Sequence, residues 1–266
     1  MPGLGLCGSL RLLSSERKPH FYNLLCAVVL AAIPVLIAAP GYYAGDVPLD
    51  VRSVLFSPPW QEARPAGLDP AASSMAAQHA HRFYPWYRFL SDSARTGDSI
   101  LWNPDEAFGT PFLALWRSRA LSPFSLPLYF FTFNDGLWAS VLLKLIVAGL
   151  CAYYAARRFG LSPVMALFVG IAYQWSGPVY LWRGMPLSDA VPWLPLLLPC
   201  TEWLIRGQLR AWSAAALVLA LIGLGGDPET LAGAVTFMFL YVLARCVRHQ
   251  EWTHFRRALT GVALAA

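Results

Sequence analysis

The stretch His81-Arg82-Phe83-Tyr84-Pro85-Trp86 opens a polar, aromatic-rich region that decides the predicted fold of this chain. The region continues with Trp102-Asn103-Pro104 and Phe108-Gly109-Thr110-Pro111-Phe112. Charges, aromatic residues and prolines are too dense between residues 41 and 120 for an ordinary flexible linker. We therefore expect a folded loop that lies between membrane spans and works at the membrane surface.

The composition around this region is that of a multispanning membrane protein. Apolar residues make up 57% of the 266 positions, charged residues make up 13%, and the mean hydropathy is +0.47. The 11 tryptophans agree, because an indole suits the bilayer interface. In such a protein the net charge of +5 first reflects topology, so we expect membrane lipids and no nucleic acid as partners.

The cysteines exclude a disulfide or a cysteine-bound metal in the large loop. No CxxC spacing occurs, and all five cysteines lie in predicted spans or on the predicted cytoplasmic side. They are Cys7, Cys26, Cys151, Cys200 and Cys246.

The first apolar run, Phe21–Ala39, follows three basic residues and is a candidate for either a signal peptide or a membrane anchor. Its length exceeds that of a usual signal-peptide core, and Pro40 makes a poor cleavage site. We expect a retained membrane helix.

Further apolar runs predict five more spans and the start of a seventh near Ala258. These five are 136–156, 162–182, 190–205, 211–226 and 228–244. With the N-terminus in the cytoplasm, the arginine clusters share the cytoplasmic side, as the positive-inside rule requires. The outer turns then carry only Arg183, Asp189, Asp227 and Glu229.

The predicted fold class is therefore all-α, polytopic and transmembrane, with a large extracytoplasmic first loop. Residues 1–20 form a cytoplasmic tail, 21–40 the first span, 41–135 the loop and 136–266 a helical bundle. Because the last apolar run is too short to span, we expect that bundle to be truncated.

Two segments of the loop are expected to be interfacial or re-entrant helices. The first, 83–94, places Phe83, Trp86, Tyr87 and Leu90 on one helical face, which predicts a helix lying flat on the membrane. The second, 123–133, is apolar but too short to span.

The order of short motifs along residues 20–235 resembles the YfhO-type bacterial membrane proteins. These motifs are Gly45-Asp46, Ser57-Pro58-Pro59-Trp60, Phe83-Tyr84-Pro85-Trp86, Leu101-Trp102-Asn103-Pro104, Phe108-Gly109-Thr110-Pro111, Ser176-Gly177 and Gly226-Asp227-Pro228-Glu229. The resemblance implies a protein of the bacterial cytoplasmic membrane that is similar to the GT-C class of glycosyltransferases. Such enzymes transfer a sugar from a polyprenyl-phosphate donor to an envelope polymer or lipid outside the membrane.

The same resemblance implies a catalytic carboxylate in the first outer loop, acting as a general base or a metal partner for the acceptor hydroxyl. Asp46 is the first choice, and Asp50 and Asp69 compete with it. A pair of these carboxylates also suits a divalent ion, so a metal cofactor stays open. The alternative is that they form turns next to Gly and Pro.

One departure from the family pattern lies just before the Phe-Tyr-Pro-Trp motif. Gln78 and Arg82 stand where the family usually has an aspartate and a glutamine. Gln78 cannot ionise, so a base or metal ligand is missing or moved. His81 is the candidate for proton transfer, whereas His79 and His81 alone are too few for a metal site.

Several cations are candidates for binding a donor phosphate, because a guanidinium fork matches phosphate oxygens. Among the arginines that flank the aromatic segments, Arg82 is the first choice and Arg117 is a further candidate, with anchoring to anionic lipids as the alternative. Lys144 lies inside a predicted span, where it needs either a structural partner or a phosphate. The family motifs add Tyr84, Trp86 and Asn103 as substrate-binding candidates.

Asp227 and Glu229 complete the candidate site as residues that hydrogen-bond substrate. The alternative is a helix start, with Asp227 as the cap and Glu229 next to the positive end of the helix dipole. We also expect Glu202 to pair with Arg206 at i+4.

The sequence contains no Walker loop, HExxH motif or nucleophile elbow, which argues against ATP-driven transport, zinc proteolysis and serine hydrolysis. The main alternatives to a glycosyltransferase are a membrane transporter or scaffold without enzymatic activity and an inactive fragment. Sugar, acceptor and oligomeric state are left open.

Overall fold

A computed structural model describes residues 19–49, 52–56, 58, 60–63, 78–208 and 210–249. These residues form helices and turns without a strand, apart from one isolated bridge between Asn103 and Thr110, and this confirms the predicted all-α class. The α-helices are α1 Pro19–Tyr43, α2 Tyr84–Thr96, α3 Leu126–Phe130, α4 Phe133–Arg158, α5 Pro163–Gln174, α6 Gly177–Tyr180, α7 Leu187–Ala190, α8 Leu197–Ile205, α9 Ala211–Leu224 and α10 Pro228–His249.

Two helices in the described part are long and apolar enough to cross a membrane. They are Phe21–Tyr43 within α1 and the whole of α4. The apolar helices α5 and α9 have only 12 and 14 residues. At about 1.5 Å per residue both fall short of the roughly 30 Å hydrocarbon core.

Two of the predicted spans are interrupted rather than continuous. The run 162–182 leaves the helix after Gln174 and resumes as the single turn of α6, which has Pro178 near its start. The run 190–205 begins as a 3-10 helix, Val191–Leu196, that contains Pro195. Proline lacks an N–H and crowds the preceding turn, so it favours such breaks.

The N-terminal half of α1 is packed tightly against α4 and α5. Leu30 is fully buried, and a Cβ on either Gly149 or Gly170 would lie only 3.3 Å or 3.0 Å from its side chain. Pro34 cannot donate to the carbonyl of Leu30 one turn earlier. Gln174 Nε2 donates to that carbonyl at 2.9 Å instead.

The apolar face of α2 packs on the protein itself. Phe83, Trp86, Tyr87 and Leu90 are all buried and join a core with Leu128 and its neighbours in the loop and α4. The periodicity therefore predicted the helix and its buried face, but that face is covered by side chains and not by lipid. The helix ends at Gly97, whose φ of +78° suits glycine.

Candidate functional site

The turn that carries Asp46 is a helix C-cap. Gly45 follows α1 with φ +78°, and the backbone N–H of Asp46 donates to the carbonyl of Gly41 at 2.9 Å. This is the six-to-one bond of a Schellman motif, which needs a left-handed residue such as glycine. Trp138 Nε1 on α4 donates to the Asp46 carbonyl at 2.9 Å and fixes the turn against the bundle.

An open groove of about 620 Å³ lies beside this turn, and we call it the Asp46 groove. Its apolar walls come from the C-terminal half of α1 and from α4, and three aromatic rings line it together with Asp46 and Arg183. The aromatic residues are Trp138, Trp175 and Tyr180. A groove that combines apolar walls with a few converging polar groups is the usual form of a small-molecule site.

Arg183 is held rigidly at the groove. Its Nε donates to the Pro48 carbonyl at 2.9 Å and its Nη1 to the Tyr180 carbonyl at 3.0 Å. The guanidinium also lies over the Tyr180 ring, 4.9 Å from the centroid. Among the described residues no carboxylate comes within ion-pair distance of it, so its charge is uncompensated there.

A separate cluster of charges is fully buried around Asp189, and we call it the Asp189 cluster. Arg119 Nη1 lies 2.5 Å from Asp189 Oδ1, Lys144 Nζ lies 2.6 Å from the same oxygen, and Ser122 Oγ donates to Oδ2 at 2.6 Å. Asp189 is 0% exposed. The sequence predicts Asp189 in an outer turn, and the structure adds that its carboxylate is buried and paired.

The ammonium of Lys144 has no free donor. Besides Asp189, it donates to the Arg183 carbonyl at 2.8 Å and to Ser188 Oγ at 3.0 Å. An ammonium has three N–H bonds, and three acceptors use them. The geometry therefore gives Lys144 the structural partner that the sequence left as one of two alternatives.

Tyr87 covers the other side of the Asp189 cluster. The Arg119 guanidinium lies 4.1 Å from the centroid of its ring, and its hydroxyl donates to the Gly184 carbonyl at 2.7 Å. Burial raises the pKa of Tyr87, so this hydroxyl keeps its proton. The helix α2 is thereby tied to the segment that leads from Arg183 to Asp189.

The Phe-Tyr-Pro-Trp residues lie away from the lining of the Asp46 groove. His81 and Arg82 are exposed, and Arg82 lies over the Trp86 ring at 5.1 Å. Trp86 Nε1 donates to Glu106 Oε2 at 2.6 Å. The ring of Tyr84 meets Phe133 edge-on at 5.2 Å. These contacts give the motif a packing role, and its predicted role in binding substrate stays a prediction.

Other predicted site residues also have structural partners. Asn103 is buried, pairs with Thr110 through two 2.8 Å backbone bonds and accepts from the Asp105 N–H at 3.0 Å. Arg117 forms an ion pair of 2.5 Å with Glu229. Asp227 accepts from the Thr230 N–H at 3.1 Å, which is the cap expected at the start of α10.

Two of the three catalytic candidates, Asp50 and Asp69, lie outside the described residues. Within the described ranges no group of three or more His, Cys, Asp or Glu residues is arranged to hold a metal ion. Gln78 is exposed at the start of the His79–Phe83 turn, and His79 is buried beside Gly184. The structure thus leaves Asp46 as the described catalytic candidate in the groove.

The sequence did not single out Arg183 or Trp138, and it did not predict the buried ion pairs of Asp189. Arg183 and Asp189 looked like ordinary charges of an outer turn. Their partners are distant in sequence, since Asp189 meets Arg119 across 70 positions and Arg183 meets Pro48 across 135. The available signal was the need of Lys144 for a buried counter-ion.

The two helices of membrane-spanning length in the described part fit a helical membrane protein. The family described as Bacterial membrane protein YfhO matches residues 72–223, which is more than half of the chain. The chain therefore belongs to this family, as the resemblance implied. Neither the curated proteins nor the solved structures give a significant match.

Proposed function

We propose that this chain acts as a glycosyltransferase that takes a sugar from a polyprenyl-phosphate donor and transfers it to a polymer or lipid of the cell envelope. The observation that carries the proposal is that the exposed Asp46 carboxylate shares one groove with the apolar walls of α1 and α4. A lipid-linked donor needs such a combination, because its chain stays in the bilayer while its sugar meets the acceptor at the surface.

The proposed topology has the N-terminus in the cytoplasm and a location in the bacterial cytoplasmic membrane. It has six membrane-crossing segments, of which α1 and α4 cross as single helices, whereas α5 and α9 need adjoining residues to complete the crossing. Support comes from contacts that bring the C-terminal ends of α4 and α8 close to the start of α1. Tyr153 near the end of α4 donates to Asn23 near the start of α1, and Arg158 lies over Trp203 at the end of α8. This groups the basic ends with the N-terminus, as the positive-inside rule asks.

The contacts of Glu202 also support this topology. It lies 2.9 Å from Arg245 and 3.7 Å from Arg206, and it accepts from the Tyr241 hydroxyl at 2.6 Å. The predicted pair with Arg206 is confirmed. Its partners come from the ends of α8 and α10, which the proposed topology places together at the cytoplasmic face.

In the proposed reaction Asp46 accepts the proton of an acceptor hydroxyl. That oxygen forms a bond to the anomeric carbon of the donor sugar, the carbon–oxygen bond to the phosphate breaks, and the polyprenyl phosphate leaves with the electron pair. A positioned general base typically contributes about 10²- to 10⁴-fold to such a step. Trp138 supports Asp46 by holding its turn.

The test measures sugar transfer from a panel of radiolabelled polyprenyl-phosphate sugars in membranes that contain the chain. Asp46→Asn is compared with Asp92→Asn, an exposed aspartate on α2 that pairs with Arg88. We expect a loss of about 10²- to 10⁴-fold for Asp46→Asn and little change for Asp92→Asn. Equal transfer by both variants, with equal insertion, contradicts the proposed role of Asp46.

A non-enzymatic transporter is the second candidate, and the interrupted helices favour it. Transporters often bind substrate where helices are discontinuous, as between α5 and α6 and before α8. Absence of transfer from every donor, together with movement of a polyprenyl-phosphate sugar across vesicles that contain the protein, selects this function instead.

A further inference from the structure

We propose that Arg183 binds the phosphate of a lipid monophosphate whose hydrocarbon chain lies in the Asp46 groove. The choice of a polyprenyl lipid rests on the proposed function. Binding of the lipid to the protein can nevertheless be measured without any sugar transfer.

The first step of the argument is the state of the Arg183 guanidinium. A guanidinium has five N–H bonds, and two of them donate to the carbonyls of Pro48 and Tyr180. The remaining three have no acceptor in the described ranges. A charged fork that the backbone already orients loses little freedom when it binds a phosphoryl group.

The second step is the shape and polarity of the groove. Its floor and walls are side chains such as Ile37, Ala38, Val141 and Leu145. Ile37 is 57% exposed, so the groove is open along α1 toward the surface that the bilayer would cover. An apolar chain fits these walls, whereas a small free anion gains nothing from them.

The third step is the number of charges. Of the described residues that line the groove, Arg183 is the cation and Asp46 the anion. Lys144 and Arg119 are buried and held by Asp189. One guanidinium neutralises about one phosphate, and further negative charge beside Asp46 is repelled. The groove therefore favours a monophosphate over a diphosphate.

The experiment uses the full chain in nanodiscs of phosphatidylcholine and measures binding of a radiolabelled polyprenyl monophosphate by scintillation proximity. We expect saturable binding that Arg183→Gln weakens at least tenfold. Arg88→Gln serves as the matched control, because it removes an exposed arginine of α2, and we expect it to bind as the wild type does. Equal binding by Arg183→Gln and wild type overturns the proposal.

A second variant separates binding from folding. Ala38→Phe adds a ring to a residue that lines the groove, and Ala38 takes no part in the contacts of Arg183 with the carbonyls of Pro48 and Tyr180. We expect it to lose binding while it keeps the thermal midpoint of the wild type. Full binding by a folded Ala38→Phe protein overturns the placement of the lipid chain.

Competitors identify the source of the phosphate. We expect unlabelled polyprenyl monophosphate to compete fully, polyprenyl diphosphate to compete no better, and inorganic phosphate or phosphatidylglycerol to fail. Competition by inorganic phosphate would make this a free-anion site, and competition by phosphatidylglycerol an ordinary headgroup site. Either result overturns the proposal.

The lipid-binding inference and the proposed glycosyltransferase function can be contradicted separately. Arg183-dependent binding without any transfer supports this inference and removes the proposed glycosyltransferase function. Transfer that continues at the wild-type rate in Arg183→Gln, with no change in binding, overturns this inference alone.

Discussion

The Asp189 cluster and the Asp46 groove both contain carboxylates and cations, but the charges are buried and paired in the cluster and line an open space in the groove. In the cluster, a carboxylate and two cations are buried and their hydrogen-bonding groups face one another. In the groove, a carboxylate and a guanidinium line an open space, and neither has an ion-pair partner among the described residues. A charge that has been satisfied holds a fold together, whereas a fixed charge left open is available to a ligand.

This difference changes which residues are candidates for function. The sequence makes Lys144 a candidate for phosphate binding because a charge inside a span is costly. In the structure, however, all three N–H bonds of its ammonium already have acceptors. Arg183 was not a candidate, yet two backbone carbonyls orient its guanidinium, and it has no ion-pair partner among the described residues. Four variants test whether this division between structural and available charges is real.

The largest effect is expected for Asp189→Asn. The change leaves Arg119 and Lys144 buried without a counter-charge, which costs about 3–5 kcal/mol in other proteins. We expect loss of monodisperse protein in detergent, measured by fluorescence-detected size exclusion. The control Asp92→Asn breaks an exposed pair on α2 and should cost about 0.2–1 kcal/mol. Similar stability of the two variants would show that the buried Asp189 ion pairs contribute no more than an exposed surface pair.

A smaller loss is expected for Lys144→Met. The variant keeps the ion pair between Arg119 and Asp189 and removes the excess positive charge. It leaves an acceptor on Ser188 unpaired, at about 1–3 kcal/mol. The measurement is the thermal midpoint together with binding of polyprenyl monophosphate, which we expect to persist. Loss of that binding in a folded protein would show that Lys144 contributes to lipid binding and is not only structural.

Trp138→Phe tests the support of the groove. The phenyl ring keeps most of the apolar wall but cannot donate to the Asp46 carbonyl. Loss of one such bond costs about 0.5–1.5 kcal/mol. We expect a nearly unchanged thermal midpoint and a clear fall in sugar transfer, smaller than that of Asp46→Asn. Unchanged transfer would show that the turn is held without the indole.

The smallest effect is expected for Arg117→Gln. Its partner Glu229 is exposed, and surface pairs of this kind contribute little. We expect wild-type stability and wild-type binding of polyprenyl monophosphate, measured as for the other variants. A loss of binding that Glu229→Gln does not share would assign Arg117 to substrate, as the sequence had proposed.

Local patterns were sufficient to predict much of this fold. The spacing of Phe83, Trp86, Tyr87 and Leu90 predicted α2, and a run of apolar residues predicted α4. The cap at Asp227 follows from the residues that adjoin it. Each of these features depends on neighbours within a few turns of the same helix.

The rest depended on contacts that a linear pattern does not contain. The interruption before α8 is caused by prolines that a hydropathy average passes over, although Pro192 and Pro195 are visible in the sequence. The partners of Asp189 and Arg183 come from distant segments. Asp46 was found because a family motif names it, and its groove became visible only when α1, α4 and the α6 region were placed together.

Pro34 connects the packing of α1 to the dimensions of the Asp46 groove. Below it, Leu30 and Gln174 fasten the helix to its neighbours, and at its level the wall of the groove begins. A helix that lacks a hydrogen bond at proline bends there most easily. A change in that bend would move the C-terminal half of α1 and alter the width of the groove opening, while the N-terminal half stays packed against α4 and α5. Access from the bilayer and the position of Asp46 would then vary together.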